Sequence, residues 1–220
     1  MFVLKREEFA NNNYSNVGEF INYWKQYYIN TPPRVIDERG RETNDYIYYE
    51  NELNAGGNIS DQNVTRLLRW KMWRTYTHPK KNNGTANTKV TTVLGKIQTL
   101  NQFRRGELNE DAFKQTAEQL IRTNSTMQIF LFHICRPREY PIADQHVFRA
   151  FYLLERNLQE DTVTWETYKN GYIPFFQRIA ERYHERPNMG KDIIQYIKAL
   201  KEIDEALMSF GQFLGKYNQT

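Results

Sequence analysis

The chain has 220 residues, 40 % hydrophobic and 15 % aromatic, with 15 Tyr and 13 Phe, enough apolar mass for a core and too much for wholesale disorder. Thirty basic against 26 acidic residues give a net charge of +4, which permits a polyanionic partner without requiring one, and no run approaches the ~18 apolar residues of a membrane span. A single cysteine, Cys135, excludes internal disulfides and four-thiolate zinc or iron–sulfur sites within the chain. Together with an opening segment too charged for a secretory signal, this predicts a cytoplasmic or nucleoid-associated protein (nuclear in a eukaryote), not a secreted one.

The first predicted helix covers Val17 to Ile29, with Phe20, Ile21, Trp24 and Tyr28 at helical spacing. It stops before Pro32-Pro33, which lack the donors a helix uses. Residues 34–60 are mostly polar, with a short strand or helical turn at Asp45–Tyr49 and a break at Ala55–Asn58. Asp61 is a candidate cap for a helix through Val64, Leu67, Leu68, Trp70 and Trp73. A polar loop, Thr77 to Thr88, separates it from a helix over Val90–Phe103, closed by Arg105-Gly106-Glu107. Asn109 opens the next helix, and an apolar helix runs from Met127 to Ile134. Another starts at or just after Asp144 and reaches Leu154. Two long helices follow, Trp165–Tyr183 and Lys191–Leu214. The predicted class is all-α: a single helical domain over 1–220, with lobes formed by 61–155 and by 1–60 plus 156–220.

The segment from Leu120 to Leu154, LIRTNSTMQIFLFHICRPREYPIADQHVFRAFYLL, carries the functional signal. An Asn/Ser/Thr turn opens an apolar helix, a Pro-bracketed loop follows, and then comes Asp144-Gln145-His146-Val147-Phe148-Arg149. This order resembles the helix-hairpin-helix DNA glycosylases, the superfamily of endonuclease III and the adenine glycosylase MutY. There a hairpin grips DNA phosphate, and an aspartate begins an Asp-Thr-His-Val/Ile-x-Arg helix. Asp144, His146, Val147 and Arg149 match that signature, and Tyr140-Pro141-Ile142 resembles its lead-in. The family hairpin is usually Leu-Pro-Gly-Val-Gly, whereas Leu120–Asn124 has no glycine. Bifunctional members carry a nucleophilic lysine after the hairpin, where this chain has Thr126. No lysine occurs between Lys114 and Lys169.

The resemblance implies a two-lobed helical bundle of the helix-hairpin-helix glycosylase type, acting on double-stranded DNA without a cofactor. It implies Asp144 as the catalytic carboxylate of a monofunctional enzyme. It also implies Arg122, Asn124, Ser125, Thr126 and His146 as phosphate contacts, and Trp73, Thr75, Tyr76 and Tyr140 as base-pocket residues. Each residue has a plainer reading. Asp144 is also an N-cap, a role compatible with catalysis. His146 reads as a hydrogen-bonded structural residue, and Arg149 as the partner of a carboxylate inside the fold. Asn124-Ser125-Thr126 has what any capped helix start has, and the aromatics near Trp70 read as core. His78, His133, His146 and His184 show no ligand spacing, so no metal is expected, and Cys135 reads as a buried thiol. A non-catalytic DNA-binding module on the same scaffold, or a helical interaction protein, remain the alternatives.

Overall fold

The computed structural model describes residues 17–28, 34–36, 42–44, 52–53, 57–71, 88–122, 124–183 and 193–217. Their regular elements are helices and one antiparallel ribbon, β1 (Arg34–Ile36) with β2 (Glu42–Asn44), in which Val35 pairs with Thr43 in register. The expected strand or turn at 45–49 and the polar loop at 77–87 lie outside the described residues. The ribbon was not legible because each strand is three residues long, too short for an alternation to register.

The chain divides into two units. One, within 31–137, holds the ribbon and α1 (Asp61–Lys71), α2 (Thr88–Leu94), α3 (Ile97–Arg105), α4 (Glu110–Leu120) and α5 (Ser125–Cys135). Ser60 rather than Asp61 caps α1: its Oγ accepts from the Asn63 amide at 3.1 Å, while Asn63 Oδ1 accepts from the Ser60 amide at 2.7 Å. That reciprocal pair is a capping box with Asn in place of Glu. The expected helix Val90–Phe103 is two helices, because the chain tightens at Gly95-Lys96, where Lys96 N donates to Val93 O at 2.9 Å. Gly95 has little helix propensity to resist the break. Gly106, at φ 81°, ends α3, and the Gly106 and Glu107 amides return to Phe103 and Gln102 carbonyls.

The core of this unit is made of rings. Phe103 and Phe113 stack at 4.0 Å between centroids, and Phe132 meets both edge-on at 5.2 and 4.7 Å. Polar groups at its margin are spent on backbone. Asn101 bonds both the amide and the carbonyl of Ile59 at 2.8 and 3.0 Å. Arg104 donates to the Ile134 and Cys135 carbonyls at the end of α5. Arg136 donates to Phe103 O at 2.8 Å and lies over the Phe103 ring. Cys135 is buried, and burial pushes its thiol far above the usual range, so it is an inert core residue as expected.

The other unit joins α6 (Val17–Lys25) to residues from 138 onward. These are α7 (Gln145–Phe151), α8 (Trp165–Thr167), α9 (Ile173–Tyr183) and α10 (Ile193–Tyr217). Residues 138–155, grouped with the central helices in the sequence reading, pack here instead, because α7 lies along α10. The expected helix Trp165–Tyr183 is continuous in direction but widens into π-helical turns over Tyr168–Tyr172. Pro174 explains the widening: it has no N–H for the carbonyl one turn back, and its ring crowds that carbonyl. A second π-helical stretch, Tyr152–Arg156, continues α7.

Candidate functional site

Asp144 stands at the start of α7 in extended backbone, φ −152° and ψ 179°, and is half-buried. Its Oδ1 accepts from the His146 amide at 2.8 Å and the Val147 amide at 3.1 Å. The carboxylate is therefore an N-cap, seated on two of the donors a helix start leaves without carbonyl partners. The segment that delivers it is pinned from behind. Tyr168 donates its hydroxyl to Pro141 O at 2.7 Å, and Tyr172 to Ile142 O at 3.2 Å. Both tyrosines come from the π-widened turns, so the same distortion that Pro174 imposes presents two hydroxyls to the lead-in of Asp144.

The rest of the motif forms one connected group. Arg149 pairs with Asp161 at 2.7 Å and donates to the Gly211 carbonyl at 3.1 Å, which is the internal carboxylate partnership expected of it. Gln145 donates to the same Asp161 oxygen at 2.7 Å. The Gln145 amide first, and then the Arg149 guanidinium, hold the Asp161 carboxyl below its usual range against the opposing effect of burial. His146 is half-buried with Nδ1 3.3 Å from Arg149 Nη1. A guanidinium has no acceptor, so where this contact is a hydrogen bond the imidazole Nδ1 is its acceptor.

Close approach of α7 and α10 depends on glycine. A Cβ at Gly211 would stand 1.9 Å from the His146 carbonyl oxygen, and one at Gly215 would stand 2.2 Å from Arg149 Nη1. The pair Gly211-x-x-x-Gly215 thus seats the motif helix, and the sequence shows that spacing although its role is evident only once α7 lies on it. Two further residues had no legible signal. Lys201 and Asp204 on α10 are 4 % and 6 % exposed and pair at 2.7 Å. The Lys201 ammonium lies 4.7 Å from the centre of the Tyr28 ring.

The other expected residues divide between the units. Asn124 caps α5, its side chain accepting from the Met127 amide at 3.0 Å. Arg122 is exposed beside it, and Ser125 and Thr126 are half-buried in the first turn. These four share one helix start in the unit that does not contain Asp144 and His146. Tyr140 is in the Asp144 unit and buried, with Lys169 Nζ 5.5 Å from its ring centre. Trp73, Thr75 and Tyr76 lie outside the described residues. Among the described residues, no three His, Cys, Asp or Glu side chains are grouped to hold a metal ion, and no helix is long and apolar enough to cross a membrane. No protein-family model, curated protein or solved structure matches the chain.

Proposed function

We propose that the chain is a monofunctional DNA base glycosylase in which Asp144 serves the glycosidic bond. The observation that carries this reading is the half-exposed Asp144 carboxylate, fixed in orientation by the His146 and Val147 amides inside the Asp-x-His-Val-x-Arg motif. As the C–N bond breaks, its electron pair leaves with the base and positive charge develops on the deoxyribose. A carboxylate beside the sugar stabilises that charge and orients the attacking water, accepting its proton as the new C–O bond forms. The target nucleotide has to leave the base stack to reach such a group. Arg122 and the Asn124-capped start of α5 are the phosphate contacts of this reading. His146 is the further phosphate contact of this reading.

Two features support hydrolysis over lyase chemistry. Thr126 occupies the position of the family's lysine nucleophile. Lys201, in the same unit as Asp144, is buried in an ion pair and unsuited to attack a sugar. Incubation with duplexes carrying a panel of modified bases is expected to give abasic sites that break only after alkali. Strand breaks without alkali, together with a protein–DNA imine that borohydride reduces to a stable adduct, would contradict the monofunctional assignment.

One observation favours a second reading, a non-catalytic DNA-binding module: Oδ1 of Asp144 is already engaged by two amides, as in any capped helix. That reading predicts salt-dependent duplex binding with no base released from any member of the panel. Arg122→Ala would lower the salt slope by about one unit in either case.

A further inference from the structure

Several described cations of the Asp144 unit are each matched to a carboxylate: Lys25 to Glu202, Arg149 to Asp161, Arg178 to Glu155 and Lys201 to Asp204. Arg156 is different. It is exposed, and among the described residues its guanidinium contacts two rings but makes no hydrogen bond or ion pair. Glu155, the acid beside it in sequence, is held by Arg178.

The two π-helical stretches meet at this side chain. Arg156 ends the first, and its Cζ lies 5.3 Å from the centre of the Phe151 ring and 5.6 Å from that of Tyr152. Gly171, within the second, leaves it room: a Cβ there would stand 2.7 Å from Arg156 Nη2 and 3.0 Å from Phe151 Cζ. The platform itself is fixed. Phe151 is fully buried and meets Tyr172 and Phe175 edge-on at 5.7 and 5.3 Å. Tyr152 donates its hydroxyl to Thr162 O at 3.1 Å. Nor does the helix end need the cation as a cap. With Asn157 at φ 58°, its amide returns to Leu153 O at 3.2 Å, and the Leu158 amide to Tyr152 O at 3.0 Å.

A cation–π contact orders a guanidinium without neutralising it. The planar fork of N–H donors matches the paired oxygens of a phosphodiester, and a side chain already ordered loses less freedom on binding. Arg156 follows Asp144 by twelve residues of continuous helix. That is at most about 18 Å along the axis, a length that one DNA strand covers in about five base pairs. We propose that Arg156 is a phosphodiester contact for duplex DNA on the Asp144 unit, its guanidinium held ready by the Phe151 and Tyr152 rings. That Arg156 meets DNA rests on the nucleic-acid reading of this chain, and not on base release by Asp144.

The test is binding of a short unmodified duplex to the full chain, followed by fluorescence anisotropy across a series of salt concentrations. Arg156→Ala is expected to lower affinity about five- to tenfold near 0.1 M salt and to reduce the slope of log K against log salt by about one unit. Arg156→Lys keeps the charge but loses the planar fork, and is expected to retain the slope with affinity down about threefold. Lys198→Ala removes an exposed charge elsewhere on the same unit, and is expected to leave the slope unchanged. An equal drop with Lys198→Ala would reduce the effect to net charge and overturn the proposal. An unchanged slope in Arg156→Ala, or no duplex bound by the unsubstituted chain at low salt, also overturns it. So does weaker binding of polyglutamate with duplex affinity unchanged, which would assign the guanidinium to an acidic protein partner. Should Arg156→Ala not fold, Arg156→Gln, which removes the charge and keeps much of the stem, decides by the same slope. A fall in slope with no base released from any modified duplex would overturn the glycosylase reading and leave the contact standing; base release with an unchanged slope does the reverse.

Discussion

Both units bury charge, but in different company: Glu52 is buried against the partly exposed Arg66 in the unit of α1 to α5, whereas both members of the Lys201–Asp204 pair are buried in the other. In the unit of α1 to α5, the centre is three phenylalanine rings, and Asn101, Arg104 and Arg136 are engaged with backbone carbonyls and amides around it. In the unit of α6 to α10, an ion pair lies at core depth, and the helix carrying the Asp-x-His-Val-x-Arg motif is pressed onto glycines. The first arrangement is what stability alone favours, since apolar residues fill a core more cheaply than ions. The second carries the desolvation cost of an ion pair with both partners buried.

The comparison can be broken first at the helix crossing. Gly211→Ala forces a methyl into the His146 carbonyl, a backbone atom that cannot swing away. A loss of about 3 kcal/mol is expected in urea unfolding, among the larger overpacking penalties. Phe113→Ala is the matching change in the apolar unit, where the ring is fully buried and stacked. It is expected to cost about 3–5 kcal/mol, with no pH dependence of its own. Gly215→Ala meets only the end of the Arg149 side chain. It is expected to cost about 1 kcal/mol, with weakening of the Arg149–Asp161 pair visible as altered Asp161 titration.

A smaller effect separates the units by pH. Asp161 is held below its usual value in the folded chain, chiefly by Gln145 and then by Arg149. Its contribution is therefore fully present above the unfolded value of ~3.9 and disappears as pH falls through the lower folded value. The pair is partly exposed, with Asp161 37 % accessible, so solvent screening keeps it under about 1 kcal/mol. Asp161→Asn should be less stable than the unsubstituted chain at pH 7 and equal to it near pH 2. A difference that persists at pH 2 would assign the loss to packing instead of charge.

Much of the helical layout was legible because caps and periodicity act locally. Asn109, Asn124 and Asp144 each cap the helix that their positions announce, and Gly106 closes α3 where expected. The misses are places where a longer-range or competing effect decides. Ser60 displaces Asp61 because Asn63 completes its box. Pro174 widens a helix whose apolar spacing alone reads as regular. Within the site, Asp144, His146 and Arg149 were legible from their order, and Arg149's carboxylate partner was expected in kind but not in identity. Lys201, Asp204 and Gly211 were not legible. They sit about 60 residues away on a long helix, and only the crossing with α7 brings Gly211 to the His146 carbonyl.

The central claim, that Asp144 performs the chemistry as well as capping α7, is tested most directly by single-turnover base release from Asp144→Asn on whichever modified duplex the unsubstituted protein cleaves. Asparagine keeps the cap, since its side-chain oxygen accepts the same amides, but carries no charge to offset a sugar cation or take a proton from water. The expected result is a fall in release of about 100-fold or more, with duplex affinity within about threefold of the original. Release at an undiminished rate would contradict the account and leave Asp144 as a helix cap alone.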